Sequence, residues 1–207
     1  MRAVDVDAVT IDAFGTLVGL DDPLPALRAS LAERGVDRDL EAVRRGFEAE
    51  VAHYVPRSHE GRDEATLALL RRDCAAAFLA AAGAAELDPD EFPFVAALRF
   101  HLLPGARDAS NTLLLAGLQV AVVSNWDVGL RAYLEALGLD LPVFTSAQAG
   151  APKPAPAVFA LALAHLGVEP ARAVHVGDSD ADRDGAAAAG MRFEPAPLAD
   201  AVARILA

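Results

Sequence analysis

Four short apolar runs along the chain have the length and composition of buried β-strands. The runs are Ala8 to Ile11, Gln119 to Val123, Val143 to Thr145 and Ala173 to Val176. Each is almost continuously apolar, which is typical of a strand covered on both faces of a sheet. We therefore expect these four segments to form the interior of one sheet.

Between the last three runs, apolar residues recur at helical spacing. Leu130, Leu134 and Leu137 would share one face of a helix over Val128 to Leu137. The same spacing predicts a helix over Pro154 to Leu166, where the proline suits the first turn. The alternation of strands and helices favours an α/β fold with a parallel sheet.

The stretch from Gly19 to Leu103 breaks this alternation, because its apolar pattern is helical throughout. Glycine and proline residues divide it into segments. The predicted helices are Leu24 to Arg34, Leu40 to Tyr54, Glu64 to Ala82 and Glu91 to His101. We expect residues 1–18 and 104–207 to form the α/β core and residues 19–103 to form an inserted helical domain.

Composition excludes several classes of partner. The formal net charge of −12 disfavours nucleic acid, whose phosphates need a basic surface, and it disfavours an anionic lipid surface in the same way. Cys74 is the only cysteine, so no disulfide can form within the chain. The segment Met1 to Asp7 has no apolar signal core, and the longest apolar run, Cys74 to Ala85, is too short to cross a bilayer. We expect a cytoplasmic protein, as a monomer or homodimer.

Reactive side chains cluster where the predicted strands end. Ligands of open parallel sheets bind beyond the carboxyl ends of the strands, so these side chains would meet along one edge. They are Asp12 after the first run, Ser124 and Asn125 after the second, Lys153 after the third, and Asp178 and Asp182 after the fourth. Singly, each could be a turn, a helix cap or a surface charge. As an ordered set they indicate a site.

The acidic segment after the fourth run indicates a cation. Four aspartates within seven residues, from Asp178 to Asp184, repel one another unless they are solvated or bind a cation. Asp180 to Gly185 also matches the opening of an EF-hand calcium loop. That alternative is disfavoured, because Met191 stands where the loop needs a glutamate and a strand rather than a helix precedes it.

These segments resemble, in order, the four motifs of the haloacid dehalogenase (HAD) superfamily. The resemblance covers residues 4–18 and 102–192. It is most specific in Ala173-Val174-His175-Val176-Gly177-Asp178-Ser179 with Asp182, Gly185-Ala186 and Ala189-Gly190-Met191, and it includes Val122-Val123-Ser124-Asn125-Trp126-Asp127. The insert resembles the C1-type cap of subfamily I. The resemblance implies a Rossmann-like parallel sheet core with an inserted helical cap domain.

The resemblance also implies a role for each clustered residue. Asp12 would be the covalent nucleophile, Thr16 would orient the first loop, and Lys153 would neutralise charge on the substrate and on Asp12. Ser124 and Asn125 would bind substrate oxygens. The implied cofactor is Mg²⁺, with ligands from Asp12, the backbone carbonyl of Phe14, Asp178 and Asp182. The substrate would be a small phosphorylated molecule.

One residue departs from the phosphatase pattern of the family. Two positions after the nucleophile, the family's phosphatases carry a second aspartate as general acid/base, and this chain carries Phe14. The family's 2-haloacid dehalogenases carry an aromatic residue there, and a halide leaving group needs no proton. Those enzymes, however, replace the first aspartate of the fourth motif and work without magnesium, whereas this chain retains Asp178.

Three hypotheses follow. The leading one is a Mg²⁺-dependent phosphatase working through an aspartyl-phosphate, with Asp127 as the candidate substitute acid. The second is a 2-haloacid dehalogenase-type hydrolase, with Arg44 or Arg45 as a carboxylate clamp. The third is a non-catalytic or weakly active ligand-binding protein of the same fold. Candidate residues of the insert that would face the site are His53, Arg57, His59 and Arg62.

Overall fold

The computed structural model describes residues 6–207 and contains two sheets. The strands are β1 (Ala8–Ile11), β2 (Val18–Leu20), β3 (Phe100–Leu102), β4 (Gln119–Ser124), β5 (Val143–Thr145), β6 (Ala173–Gly177) and β7 (Arg192–Pro195). The larger sheet has five strands in the order β5-β4-β1-β6-β7, all parallel to their neighbours. The fold is therefore α/β with a Rossmann-like parallel core, which confirms the predicted fold class. The segment Met1 to Asp7 was predicted to lack a signal core, and its residues 1–5 lie outside the described residues.

The four predicted strands are confirmed, and three further strands were not predicted. Strand β7 is an edge strand in which the charged residues Arg192 and Glu194 alternate with Phe193 and Pro195, so it lacks the apolar run that marked the others. Strands β2 and β3 are three residues each and pair with each other in a separate sheet. Runs this short carry little hydrophobic pattern.

The register of the large sheet fixes where its strands end. Ile11, the last residue of β1, lies opposite Val122 on one side and Val176 on the other, so the three strands end within two residues of one another. Ser124, at the end of β4, lies opposite Thr145 of β5. The residues that follow these strands therefore share one edge of the sheet.

The chain divides into two compact units, and helices of the first unit, which comprises the residues up to Gly19 and His101–Ala207, surround this sheet. They are α4 (Ala106–Leu115), α5 (Leu130–Ala136), α6 (Ser146–Ala149), α7 (Ala157–Leu166), α8 (Asp180–Ala188) and α9 (Leu198–Leu206). The two predicted helices of this region are confirmed as α5 and α7, and both begin two or three residues later than expected. Asp127 Oδ1 accepts a hydrogen bond from Gly129 N (2.7 Å) in the turn before α5, and Pro156 is the cap residue of α7. Apolar side chains of α7 and α8 pack against β1, β4 and β6.

The second compact unit, Leu20–Phe100, is mainly helical. It contains α1 (Leu24–Ala32), α2 (Leu40–Tyr54), α3 (Glu64–Ala81) and 3₁₀ turns at Val55–Glu60 and Val95–Ala97. The other unit comprises the residues up to Gly19 together with His101–Ala207. Among the residues that the structure describes, no helix combines the length and apolar character needed to cross a membrane.

One predicted helix is wrong. The segment Glu91 to His101 was expected to be helical, but it contains only the 3₁₀ turn at Val95–Ala97 before β3 begins at Phe100. Pro93 disfavours helical backbone in Phe92, the residue before it, and so opposes a helix that begins at Glu91. Phe92 and Phe94 instead pack against Phe78 of α3, with ring centroids 5.4 and 5.2 Å away.

The second unit buries a carboxyl group between its two longest helices. Gly46 lets α2 approach α3 closely, because a Cβ there would lie 2.9 Å from the Phe78 ring and from its carbonyl oxygen. One turn later on α2, Glu50 is 6% exposed and shares a hydrogen bond with Cys74 of α3. Burial raises the pKa of Glu50 from 4.5 to about 7, although the Cys74 contact opposes this. Below a pH of about 7, the folded chain therefore favours the neutral form of Glu50.

This burial predicts a pH-dependent stability. Glu50 should cost no stability below pH 4.5, where it is protonated in both states, and should cost progressively more as the pH rises to about 7. The full cost is roughly 3 kcal/mol, from about 1.4 kcal/mol per pKa unit. We expect Glu50→Gln to remove this loss, so that the variant gains stability over the parent between pH 5 and 8, measured by urea unfolding. Glu48→Gln, an exposed position on the same helix, is the control. Parallel pH profiles for the parent and Glu50→Gln would contradict this account.

Candidate active site

Lys153 contacts the ends of two strands and the first turn of α8. Its Nζ donates to Asp12 Oδ1 at 2.6 Å, to the carbonyl oxygen of Val123 at 3.2 Å and to Asp182 Oδ1. Lys153 is 5% exposed and Asp12 is 6% exposed, so this ion pair is almost fully buried. Through its side chain, Lys153 therefore contacts residues of two other predicted clusters directly.

Asn125 holds the backbone of this lysine. Its Oδ1 accepts a hydrogen bond from Lys153 N at 2.6 Å, and its Nδ2 donates to Lys153 O at 3.1 Å. Both polar atoms of the side chain thus contact the lysine rather than pointing to a free ligand position. Ser124, the last residue of β4, is buried at the same edge. The predicted roles of Ser124 and Asn125 in binding substrate stay predictions.

Asp182 is held by three residues. Its Oδ1 accepts from Lys153 Nζ and from His175 Nε2 (2.9 Å), and its Oδ2 accepts from Ser179 N (3.1 Å) and Ser179 Oγ (2.5 Å). An ionised carboxylate offers about four acceptor positions, and these donors occupy four. A cation would have to displace one of these donors to bind Asp182 directly.

The loop after β1 brings the backbone close to Asp178. Ala13 O accepts hydrogen bonds from the amides of Thr16, Leu17 and Val18, which closes a tight turn. Gly15 within it has φ +82°, and a Cβ there would overlap the Asp178 carboxyl group. Glycine therefore serves both the turn and the close approach.

Two other side chains of this loop differ in exposure. Phe14 is 50% exposed, which is unusual for a large apolar side chain beside buried polar groups. The hydroxyl of Thr16 is buried without a hydrogen-bond partner. Buried polar atoms without partners are uncommon, so Thr16 is a candidate contact for a bound group.

Three carboxylates could share a metal ion. One oxygen from each of Asp12, Asp178 and Asp182 lies within 4.8 Å of the others. Partial burial, then the charges of Asp12 and Asp182, raise the pKa of Asp178 above its ordinary value. A divalent cation would relieve that repulsion, and hard oxygen donors are what Mg²⁺ prefers. The donor set therefore fits the metal that the sequence predicted.

The buried charges stabilise one another. Burial alone would lower the pKa of Lys153, but the Asp12 and Asp182 carboxylates outweigh it and raise that pKa. Burial works against ionisation of Asp182, but hydrogen bonds and charge from His175 and Lys153 hold its pKa well below the ordinary value. Burial lowers the pKa of His175, so the neutral ring is favoured. The site thus holds a cationic lysine between two anionic aspartates.

The secondary candidates have ordinary contacts. Asp127 is buried and accepts from Gly129 N in the turn before α5, as a capping residue does. Arg44 and Arg45 are exposed on α2, and Arg44 lies 3.9 Å from Glu41. In the second unit Arg57 donates to His53 O (3.1 Å). Arg57 and Arg62 are exposed, whereas His53 and His59 are half-buried.

Sequence reasoning missed Thr10 and His175. Both lie inside buried strands with 0% exposure, and His175 Nε2 contacts Asp182. The available signal was their polarity within otherwise apolar runs. Both runs are otherwise apolar and were assigned to the core, so the single polar residue in each received no functional role.

Comparison with known proteins agrees with the architecture. Residues 6–190 match the model of a family described as haloacid dehalogenase-like hydrolase. A bovine relative, haloacid dehalogenase-like hydrolase domain-containing protein 3, is 42% identical over 112 residues. That match covers 50% of this chain and 44% of the bovine protein, so it spans less than half of the relative's length.

Two solved structures are similar over most of the chain. A HAD family hydrolase from Deinococcus radiodurans with bound phosphate and sodium is 25% identical, with a TM-score of 0.57 and coverage of 98% of this chain and 89% of that one. L-2-haloacid dehalogenase from Xanthobacter autotrophicus, with chloropropionic acid covalently bound, is 24% identical, with a TM-score of 0.61 and coverage of 91% and 76%. The second likeness supports the fold alone.

Proposed function

The chain belongs to the haloacid dehalogenase-like hydrolases, and we propose that it is a Mg²⁺-dependent phosphatase acting on a small phosphate ester. The carrying observation is the group of three carboxylates, Asp12, Asp178 and Asp182, around the buried ammonium of Lys153. A hydrolase that needed no metal would gain nothing from keeping Asp178 so close to two other carboxylates. The relative from Deinococcus radiodurans, which binds phosphate, supports a phosphorylated substrate.

Asp12 would attack the phosphorus atom. Its Oδ1 accepts from Lys153 Nζ, so we assign the attack to Oδ2. A bond forms between Oδ2 and phosphorus while the bond from phosphorus to the ester oxygen breaks, and the alkoxide or phenoxide leaves with the electron pair. Water then attacks phosphorus, releases inorganic phosphate and regenerates the Asp12 carboxylate.

The remaining residues would lower the cost of bringing anions together. Lys153 keeps its positive charge beside Asp12 and the incoming phosphate oxygens. Asp12, Asp178 and the carbonyl of Phe14 would hold Mg²⁺, with Asp182 as a further ligand only if it gives up a present donor. When bound, the metal supplies charge neutralisation between nucleophile and phosphate. Ser124 and Thr16 would contact substrate oxygens or orient the loop.

The half-exposed ring of Phe14 favours a second candidate, a 2-haloacid dehalogenase-type hydrolase. A carbon–halogen bond can be displaced without a proton donor, so an aromatic residue at this position costs that reaction nothing. The non-catalytic alternative is less well supported, because a binding protein gains nothing from a buried lysine held on a nucleophile. Assays of one preparation for free phosphate from p-nitrophenyl phosphate and free halide from 2-chloropropionate separate the three.

We also propose that residues 19–103 act as the cap that selects the substrate. The compact helical unit Leu20–Phe100 is inserted between β1 and the rest of the core along the chain. An insertion at the catalytic loop is suited to controlling access to that loop. The substrate itself would be a cytoplasmic small molecule, and the protein a monomer or homodimer.

The metal site predicts a matched pair of variants. EDTA should abolish release of phosphate from p-nitrophenyl phosphate, and Mg²⁺ should restore it. Asp178→Asn should weaken Mg²⁺ binding at least tenfold, measured by titration calorimetry, because it removes one of few charged ligands. Asp184→Asn, an exposed position on α8, is the control and should bind Mg²⁺ like the parent. Equal affinity in Asp178→Asn and the parent would exclude this metal site.

Phe14 predicts a dependence on the leaving group. Without a proton donor, the parent should turn over aryl phosphates better than alkyl phosphates, whose alkoxides need protonation. Phe14→Asp should raise the alkyl rate more than the aryl rate, by up to about 10²–10⁴-fold, the range of general acid catalysis. Phe14→Asn is the control, because asparagine matches aspartate in size but has no titratable proton, and it should not raise the alkyl rate. An unchanged alkyl-to-aryl ratio in a folded, Mg²⁺-binding Phe14→Asp would rule out the missing acid as the limitation, whereas a dehalogenase would instead lose halide release.

A further inference from the structure

His175 is a buried polar residue that the proposed reaction does not use. It lies in the middle of β6, directly opposite Thr10 of β1, with 0% of its surface exposed. Its Nδ1 is 2.9 Å from Thr10 Oγ1 and 3.2 Å from Thr10 O, and its Nε2 is 2.9 Å from Asp182 Oδ1. The ring thus connects the strand that carries the nucleophile to the carboxylate that holds the lysine.

The acceptors around the ring determine its hydrogen positions. An ionised carboxylate can only accept, so Nε2 must carry the proton that is donated to Asp182. In the neutral ring Nδ1 is then an acceptor, and Thr10 Oγ1 is the donor that reaches it. The shorter of the two Nδ1 contacts is therefore the hydrogen bond.

Aromatic packing fixes the ring in this orientation. Phe159 meets it edge-on, with centroids 4.9 Å apart and planes at 87°, and Phe193 packs at 6.5 Å. Gly185 makes room for this arrangement, because a Cβ there would lie 2.7 Å from Phe159 Cε2. A ring that contacts two aromatic side chains and is hydrogen-bonded at both nitrogens is held in this orientation.

We propose that His175 is a positioning residue of the active site, which holds the Asp182 carboxylate towards Lys153 and thereby fixes the ammonium on Asp12. The connected groups are Thr10, His175, Asp182, Lys153 and Asp12. Thr10 lies in β1 and Asp12 directly follows that strand, so the series of contacts begins and ends at β1. The consequence for turnover rests on the proposed function.

Asp182 Oδ1 accepts hydrogen bonds from Lys153 and His175, and removing the His175 ring leaves Lys153 as the remaining donor to that oxygen. Ser179 still holds Oδ2, so the carboxylate stays in place but Oδ1 is less firmly directed at Lys153. The ammonium is then less precisely positioned on Asp12. Outer residues that orient a reactive group typically contribute on the order of 10–100-fold to activity. The effect should fall on kcat, because a misplaced lysine impairs attack by Asp12 more than it impairs capture of the substrate.

Two substitutions separate orientation from mere filling of space. His175→Leu fills the cavity without a donor, and His175→Gln keeps an N–H group at about the reach of Nε2. With p-nitrophenyl phosphate and saturating Mg²⁺, we expect His175→Leu to lower kcat on the order of 10–100-fold with little change in KM. His175→Gln should recover a substantial part of that loss. His165→Leu, at an exposed histidine of α7, is the control and should leave kcat unchanged.

A double variant tests the route through Asp182. If His175 acts through that carboxylate, then His175→Leu should lower kcat no further in an Asp182→Asn background. Independent, multiplying losses would overturn the proposal. So would equal kcat in His175→Leu and the parent, or equal losses in His175→Leu and His175→Gln. If His175→Leu fails to fold, Thr10→Val removes the donor to Nδ1 at nearly constant volume and should lower kcat in the same direction.

An NMR measurement tests the hydrogen-bond geometry without any turnover. In protein labelled with ¹⁵N-histidine, the His175 ring should be the neutral tautomer with its proton on Nε2, and Asp182→Asn should shift that proton's resonance. A ring protonated on Nδ1 alone would overturn the proposal even in an active phosphatase. If the parent shows the expected tautomer but has no phosphatase activity, the proposed function is rejected and the proposed hydrogen bonds of His175 are retained.

Discussion

The buried ammonium of Lys153 is the constraint on which the rest of the site depends. Placing one lysine and two aspartates out of water costs several kcal/mol per ion unless each is paired and hydrogen-bonded. The surrounding residues meet that requirement: Asn125 binds the lysine backbone, and His175 and Ser179 complete the hydrogen bonds of Asp182. Gly177 is glycine because a Cβ there would overlap the Asp182 side chain. Polar residues that are far apart along the chain therefore act together to keep these buried charges paired and hydrogen-bonded.

The parallel sheet makes this pairing possible across long stretches of sequence. Asp12 and Lys153 are 141 residues apart, yet they meet because β1 pairs with β4 and the end of β4 binds Lys153 through Val123 and Asn125. The same edge leaves Asp178 and the ring of Phe14 exposed beside the buried ion pair. One side of the site is thus rigid and charge-balanced, while the other offers a partly solvated carboxylate and an apolar surface. That division suits a reaction in which a fixed nucleophile meets a variable substrate.

The sequence predicted those reactive side chains that follow the ends of strands. Asp12, Lys153, Asp178 and Asp182 were found because each follows an apolar run, and the structure places them together. His175 was missed because a single polar residue inside such a run resembles core, and its partners are distant in sequence. The helix expected over Glu91 to His101 fails at Pro93, where local backbone chemistry overrides an apolar pattern. The contacts of Asn125 with Lys153 depend on a loop whose course no local pattern specifies.

Trapping the covalent intermediate tests the central claim most directly. Asp12 is the proposed acceptor of phosphorus, because Lys153 holds one of its oxygens and leaves the other for attack. Protein quenched during turnover of p-nitrophenyl phosphate can be reduced with borohydride, which converts an aspartyl-phosphate to homoserine, and its peptides can be examined by mass spectrometry. We expect homoserine at position 12 when substrate and Mg²⁺ are present, and unmodified aspartate when either is omitted. Sustained release of phosphate without modification at position 12, or with modification at another carboxylate, would contradict the account.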